Sequence, residues 1–160
     1  TDDCARLVGI SFGKATGAEA ALVSTNQWIH NTDVREMNKD GVSGSLFPLG
    51  VTDSEIVSIL PTGWKNNIQT VTLSGARIKE LAQTGYDSKG DGSLVFPYVL
   101  VTKGGAELDD DATYTIPICG ASDAVKAEGG YADSGVMGLT AAENYLSTFD
   151  TLSASDIVWE

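Results

Sequence analysis

The chain has 160 residues, 42% hydrophobic and 20% charged, which excludes a disordered or collagen-like segment and leaves room for one domain with a real core. Its formal net charge of -12 opposes phosphate backbones and anionic lipid headgroups at long range, so nucleic acid and membrane surfaces are poor partners. A run of about 18 apolar residues, needed for membrane insertion, is absent, and Thr1-Asp2-Asp3 is the opposite of a basic signal-peptide start, so the sequence reads as a mature segment or an excised piece.

Cys4 to Thr16 places Leu7, Val8, Ile10 and Phe12 at helical spacing, with Thr16-Gly17 as a stop, so a helix is predicted there. Ala20 to Ser24 is a short apolar run suited to a buried strand, and Asn26 to Asn31 follows as a polar loop carrying Trp28. Asp40-Gly41 marks a turn within the polar stretch from Val34 to Gly44. Thr52, with Glu55 three residues on, forms a capping box that opens a short helix through Leu60, and Pro61 closes it. Ile68 to Leu73 alternates like a strand, and Ser74 to Thr84 reads as a helix with Ile78 and Leu81 inward and Gly85 as its stop. Leu94 to Thr102 and Thr113 to Cys119 are β-rich, joined by a polar, hairpin-like connection from Lys103 to Asp111. A Gly-rich loop (Gly129 to Gly135), a helix near Thr140 to Leu146 and a short apolar end at Ile157 to Trp159 complete the order. That order predicts a mixed α/β or α+β sandwich, a single domain over residues 1–160 without linker or repeat.

His30 is the only histidine, so a dinuclear phosphohydrolase centre built from several His and Asp ligands cannot be assembled here, and no cofactor or metal is expected in this chain. Beside Trp28 in a polar loop, His30 reads first as an ordinary surface or half-buried residue. Gly9-Ile10-Ser11-Phe12-Gly13 matches the G-x-S-x-G elbow, but an elbow needs a strand before its Ser, and here the motif lies inside a predicted helix. Only Glu19 stands between Ser11 and His30 as the acid of a triad, so Ser11 is expected to be helical and inert. Asp87-Ser88-Lys89-Gly90-Asp91-Gly92 resembles the start of a calcium loop, yet Lys89 takes a ligand position and Tyr98 stands where a bidentate Glu belongs, which favours a plain Asp-Gly turn. Asp109 to Asp111 reads as a solvated turn. Cys4 and Cys119 read as two free buried thiols, with one bridge between them as the alternative.

Gly50-Val51-Thr52-Asp53-Ser54-Glu55-Ile56-Val57-Ser58-Ile59-Leu60-Pro61, followed by Asn67 to Ser74 and then Gly75-Ala76-Arg77-Ile78-Lys79-Glu80-Leu81, resembles the central pattern of the 5'-nucleotidase C-terminal domain: G-x-[IV]-T, an acidic helix ending L-P, an Asn, a strand, and L-[TS]-G-x-x-[IL]-K-E-L. Thr16 to Leu22 is similar to that family's T-G-A-D entry to its first strand, and Glu107 to Ile116 to its P-L-D-x-x-x-x-Y-T-V segment. The resemblance covers most of residues 4–146 and implies the family's α/β sandwich, a mixed β-sheet with helices packed on it.

The same resemblance implies a function. In that family an upstream metallophosphatase domain of the same chain holds divalent metals, and this domain supplies the nucleotide pocket. The expectation is therefore a substrate-recognition domain of a secreted or cell-surface 5'-nucleotidase-like hydrolase, binding a nucleotide or other phosphoester, with its catalytic domain absent from this sequence. A non-catalytic interaction module that keeps the fold is the alternative. The family's N-G-G-x-I-R loop is altered: its Asn falls on Ser24 or Asn26, the Gly pair is lost, and its Arg becomes Ile29 or His30, which cannot offer a bidentate guanidinium. Of the two aromatics that clamp the base, the first falls on Ser93, with Phe96 and Tyr98 nearby, and the second on Tyr131.

Overall fold

Leu7, Val8, Ile10 and Phe12 wind a broad apolar surface onto the first segment, which forms helix α1 (Asp2–Thr16) and is buried on nearly all sides along its middle. The computed structural model describes residues 2–25, 29–30, 35–36, 38, 40–44, 51–60 and 66–160, with backbone alone at 29–30 and 35–36. After α1 come β1 (Ala20–Ser24), the two-residue strands β2 (Ile29–His30) and β3 (Arg35–Glu36), and helix α2 (Asp53–Ile59). There follow β4 (Asn67–Ser74), α3 (Gly75–Thr84), β5 (Tyr86–Asp87), β6 (Val95–Phe96), β7 (Tyr98–Thr102), β8 (Thr113–Cys119), α4 (Asp123–Glu128), β9 (Ala132–Met137) and α5 (Gly138–Leu146).

Five strands make the central sheet in the order β7-β1-β8-β4-β9. β1 and β8 are parallel, pairing Leu22 with Ile118, and the other neighbours are antiparallel. Because side chains alternate across a strand, Ala21 and Val23 face one side and Ala20 and Leu22 the other. The first face packs against α1, α2, α5 and the end of the chain; the second receives Ile78 and Leu81 of α3, Val125 of α4, and Tyr86 and Phe96. A mixed sheet with helices packed on it is therefore the architecture. Burial of β1 on both faces is what its unbroken apolar sequence requires.

Local signals explain the helix ends. Thr52 Oγ1 accepts from the Glu55 amide at 3.4 Å while Glu55 Oε2 accepts from the Thr52 amide at 2.8 Å, the reciprocal capping box expected from the sequence. Ser74 caps α3 by accepting from the Arg77 amide at 3.2 Å, and Gly85, at φ +87°, ends it. Arg77 then ties α3 to α4 through two bonds to the Glu128 carboxylate, at 2.6 and 2.8 Å.

The glycines of the G-x-S-x-G match have a packing role. A Cβ on Gly9 would meet Val101 at 3.0 Å and Val23 at 3.3 Å, so Gly9 lets α1 lie close on β1 and β7. Ser11 is helical and buried, with its hydroxyl donating to the Val8 carbonyl at 2.9 Å. Cys4 and Cys119 are both buried and unbridged.

Four expectations are corrected. Leu94 to Thr102 is not one strand: Pro97, lacking an N–H, separates β6, which pairs with β5, from β7, which joins the main sheet. The Lys103 to Asp111 segment is no hairpin connection, because β7 and β8 lie on opposite sides of β1. Of the loop expected from Gly129 to Gly135, the part from Ala132 onward belongs to β9, an edge strand whose mostly exposed side chains give it no apolar period. The polar loop expected over Asn26 to Asn31 also contains a short ladder, Ile29–His30 against Arg35–Glu36.

Candidate functional site

β8 runs out at Cys119 where its antiparallel neighbour β4 begins at Asn67, and a crevice lies at this end of the two interior strands. Crevices beyond the carboxyl ends of strands are the usual ligand sites of α/β sheets. This one encloses about 520 Å³, with Phe12, Ile68 and Leu139 as its apolar floor and Asp40, Asn67, Gln69, Lys126, Tyr131 and Asp133 among its polar and aromatic walls.

The walls are held by bonds reaching back into the fold. Ser24, fully buried at the end of β1, accepts from Asn38 Nδ2 at 3.0 Å and donates to the Asp40 carbonyl at 3.3 Å. Asn38 Oδ1 accepts from the Asp40 amide at 3.0 Å, which closes the turn that presents Asp40. Tyr86 donates its hydroxyl to Asp40 Oδ2 at 3.1 Å, and burial together with that carboxylate pushes the phenol up to about 12. Behind it, Tyr98 donates to the Gly120 carbonyl and its own phenol is raised well above the ordinary range, chiefly by burial. Gly120 sits at φ +81°, and a Cβ there would come within 2.6 Å of Ser24 Oγ.

On the opposite wall Asn67 Nδ2 donates to both Asp133 oxygens, at 3.0 and 3.3 Å, and Gly135 N donates to Oδ1 at 2.7 Å. These bonds, the Gly135 amide foremost, hold the Asp133 carboxyl below the usual range, so it is ionised at neutral pH. Tyr131 is 39% exposed, and the Lys126 ammonium lies 5.5 Å from its ring centroid. Its phenol is raised by partial burial, against the opposing field of Lys126.

The six residues proposed from sequence fare differently. Tyr131 lines the crevice. Ser24 stands behind its wall as a strut for Asp40, and Phe96, only 1% exposed, lies in the core with its ring 6.4 Å from that of Tyr86. Ser93 is in the exposed β5–β6 loop, its amide donating to Asp91 at 2.9 Å, and does not line the crevice. His30 is placed in β2 by its backbone, and Asn26 lies outside the described residues. Asp40, Lys126 and Asp133 escaped sequence reasoning as site residues, whereas Asn67 and Gln69 belonged to the motif that carried the resemblance.

The neighbouring features are structural. Asp87 accepts from the amides of Lys89, Gly90 and Gly92 at 2.9–3.2 Å, which is the plain turn favoured over a calcium loop. Among the described residues no three of His, Cys, Asp and Glu lie close enough together to hold a metal ion. No described helix is long and apolar enough to cross a membrane.

Cys119 also lines the crevice, but its thiol is pushed up to about 12 by burial and, secondarily, by Asp40. The thiolate is the reactive form, so native protein at pH 8 is expected to leave Cys119 unmodified by iodoacetamide while urea-unfolded protein is labelled quickly. Mass mapping of the peptide checks this, and rapid native labelling would refute it.

No family model matches the chain, and no curated protein matches it. Among solved structures it is similar to a 5'-nucleotidase precursor from Thermus thermophilus, at 16% identity and a TM-score of 0.62 over 93% of this chain and 33% of that one. The likeness is one of fold, and this chain spans about a third of that protein's length. The 5'-nucleotidase C-terminal-like architecture expected from the motifs is thus the one found.

Proposed function

We propose that the chain is the substrate-recognition unit of a two-domain phosphoester hydrolase of the 5'-nucleotidase type, with bond cleavage performed on a separate metallophosphatase domain of the same protein. The observation that carries this reading is the crevice at the end of β8, into which Tyr131 presents an accessible ring, on a fold shared with part of a 5'-nucleotidase precursor. Such a site binds and orients its ligand. Divalent metals belong to the separate domain. Export to the cell surface or medium goes with this reading, as the neighbour is itself a precursor.

Calorimetric titration of the purified chain with adenosine, AMP and a sugar phosphate tests the reading. Stacking on an aromatic ring is worth about 1–3 kcal/mol, so Tyr131→Ala is expected to weaken binding of whichever compound binds by roughly ten-fold or more. An unchanged affinity in that variant would remove Tyr131 from the site.

The second reading is an interaction module that keeps the fold without nucleotide specificity. The burial of Ser24 and Phe96, two positions where the resemblance puts ligand contacts, favours it. Failure of all three compounds to bind would leave it standing.

A further inference from the structure

A second groove, of about 770 Å³, lies between α2 and the end of α5 and shares no lining residue with the crevice beyond β8. Independently of the recognition reading, we infer that it docks a short segment of a partner protein in which apolar side chains are flanked by lysine or arginine.

The apolar half of the argument is the groove's floor. Leu146, Phe149 and Leu152 line it while packing, half-buried, against the core shared by α1, α2 and α5. Val51, 39% exposed, adds one of the few large apolar side chains left open among the described residues. The floor is ordered in advance. After α5 the amides of Ser147, Thr148 and Phe149 donate to the Glu143, Tyr145 and Leu146 carbonyls at 2.9–3.2 Å, and the Phe149 ring stands edge-on to Tyr145 at 5.2 Å between centroids. A preorganised surface spares an incoming segment part of the cost of ordering.

Charge decides which kind of segment fits. Asp53, Glu143 and Asp150 line the groove, and no lysine, arginine or histidine is among its described lining residues. Asp53 sits in the first turn of α2, where the helix dipole answers its charge. Glu143 and Asp150 lack such an answer: among the described residues neither makes an ion pair, and the last turn of α5 carries no basic residue, so the negative end of that helix adds to theirs. A second copy would bring its own net charge of -12 against these carboxylates, and anionic surfaces are repelled likewise. A purely apolar segment would strip water from Glu143 and Asp150 and return no partner. A segment with apolar anchors and flanking cations satisfies both features, the anchors on Leu146 and Phe149 and the cations on the two carboxylates.

The test titrates the purified, isotopically labelled chain with a synthetic peptide alternating lysine with pairs of leucine, read by amide chemical shifts and calorimetry. One twin peptide has glutamate for every lysine, the other serine for every leucine. The lysine–leucine peptide is expected to bind about ten-fold or more tightly than either twin, and to shift amides of 51–56 and 143–152. Combining Glu143→Lys with Asp150→Lys, in protein shown to be folded by its melt, should weaken it about ten-fold, since each attraction becomes a repulsion. If that double variant does not fold, Asp150→Asn alone, at an exposed position, should weaken binding about two-fold. Glu19→Lys with Asp111→Lys makes the same change in net charge at exposed positions outside the groove, and should alter affinity by less than about two-fold. Absence of binding, equal binding of either twin, shifts centred outside the groove, or an equal loss in the control variant overturns the inference. Concentration-dependent shifts of the same amides without peptide would assign the groove to a second copy and overturn it as well.

Discussion

Replacing Trp159 by Ala is expected to lower stability by about 3–5 kcal/mol, the range for removing a buried Trp. Trp159 is 4% exposed and belongs to the same core as α1 and α5. Its ring lies directly on Gly13: a Cβ built there would fall 2.0 Å from Cη2 and 2.4 Å from Cζ2. The segment is also fastened by its backbone, with the Trp159 carbonyl accepting from Gly104 at 2.6 Å and the Ile157 carbonyl from Arg6 at 2.6 Å. A chain of this size loses about 2–4 °C per kcal/mol, so the melt should fall by roughly 10 °C. Gly13→Ala should also destabilise, by overpacking, and the pair should be less than additive because the cavity left by the Trp admits the methyl. A Trp159→Ala melt within 2 °C of the parent would show that the C-terminal segment is not part of the core.

Gly75→Ala is expected to cost about 3 kcal/mol, at the upper end of ordinary overpacking, because what it meets is backbone. Its Cβ would lie 2.0 Å from the Asp109 carbonyl oxygen and 2.8 Å from that carbonyl's carbon. The start of α3 is bonded to this loop, Gly75 N to Ala112 O at 2.9 Å and Ala76 N to Asp110 O at 3.2 Å. Nor can the loop retreat freely: Lys79 holds the Leu108 carbonyl at 3.0 Å and pairs with Asp110, while the Asp109 amide donates to the Tyr114 hydroxyl at 3.0 Å. The urea midpoint measures the effect, with Ala76→Gly as a control for backbone flexibility. A Gly75→Ala midpoint equal to the parent's would mean that the 109–112 loop adapts at no cost.

That second case shows why parts of the fold were legible. Leu73-Ser74-Gly75 stood out as a motif, and each residue has a separate physical reason: Leu73 is core, Ser74 is the helix cap, and Gly75 admits the neighbouring loop. Thr52 with Glu55 and the apolar run of β1 were readable for the same kind of reason, since caps and burial patterns are written within a few residues. Strand order was not, because the separation of β7 from β8 by β1 is decided by pairing between distant segments. α4 was missed since Val125 is its only buried side chain, which gives no period to detect. Tyr131, which lines the crevice, is singled out in the sequence by its match to the second aromatic of the family resemblance. Asp40, Lys126 and Asp133 each look like solvated charges in a turn or on an edge, and only tertiary structure assembles them. Phe96 misled because an aromatic near a binding motif and an aromatic in a core strand look alike until the strand's facing is known.

The position of β1 also governs the time order of assembly. It is the earliest strand in the chain, yet its two partners, reached through Leu100 and Ile118, come long after it. As the polypeptide emerges from the ribosome or is diluted from denaturant, Ala20 to Val23 therefore waits as an unpaired apolar stretch until β7 and β8 are both available. Non-local pairing of this sort makes folding slow and leaves such a segment open to association with other chains. The buried strand that anchors the finished sheet is thus also the segment whose shielding, by a chaperone or by the preceding α1, decides how much of the chain reaches it.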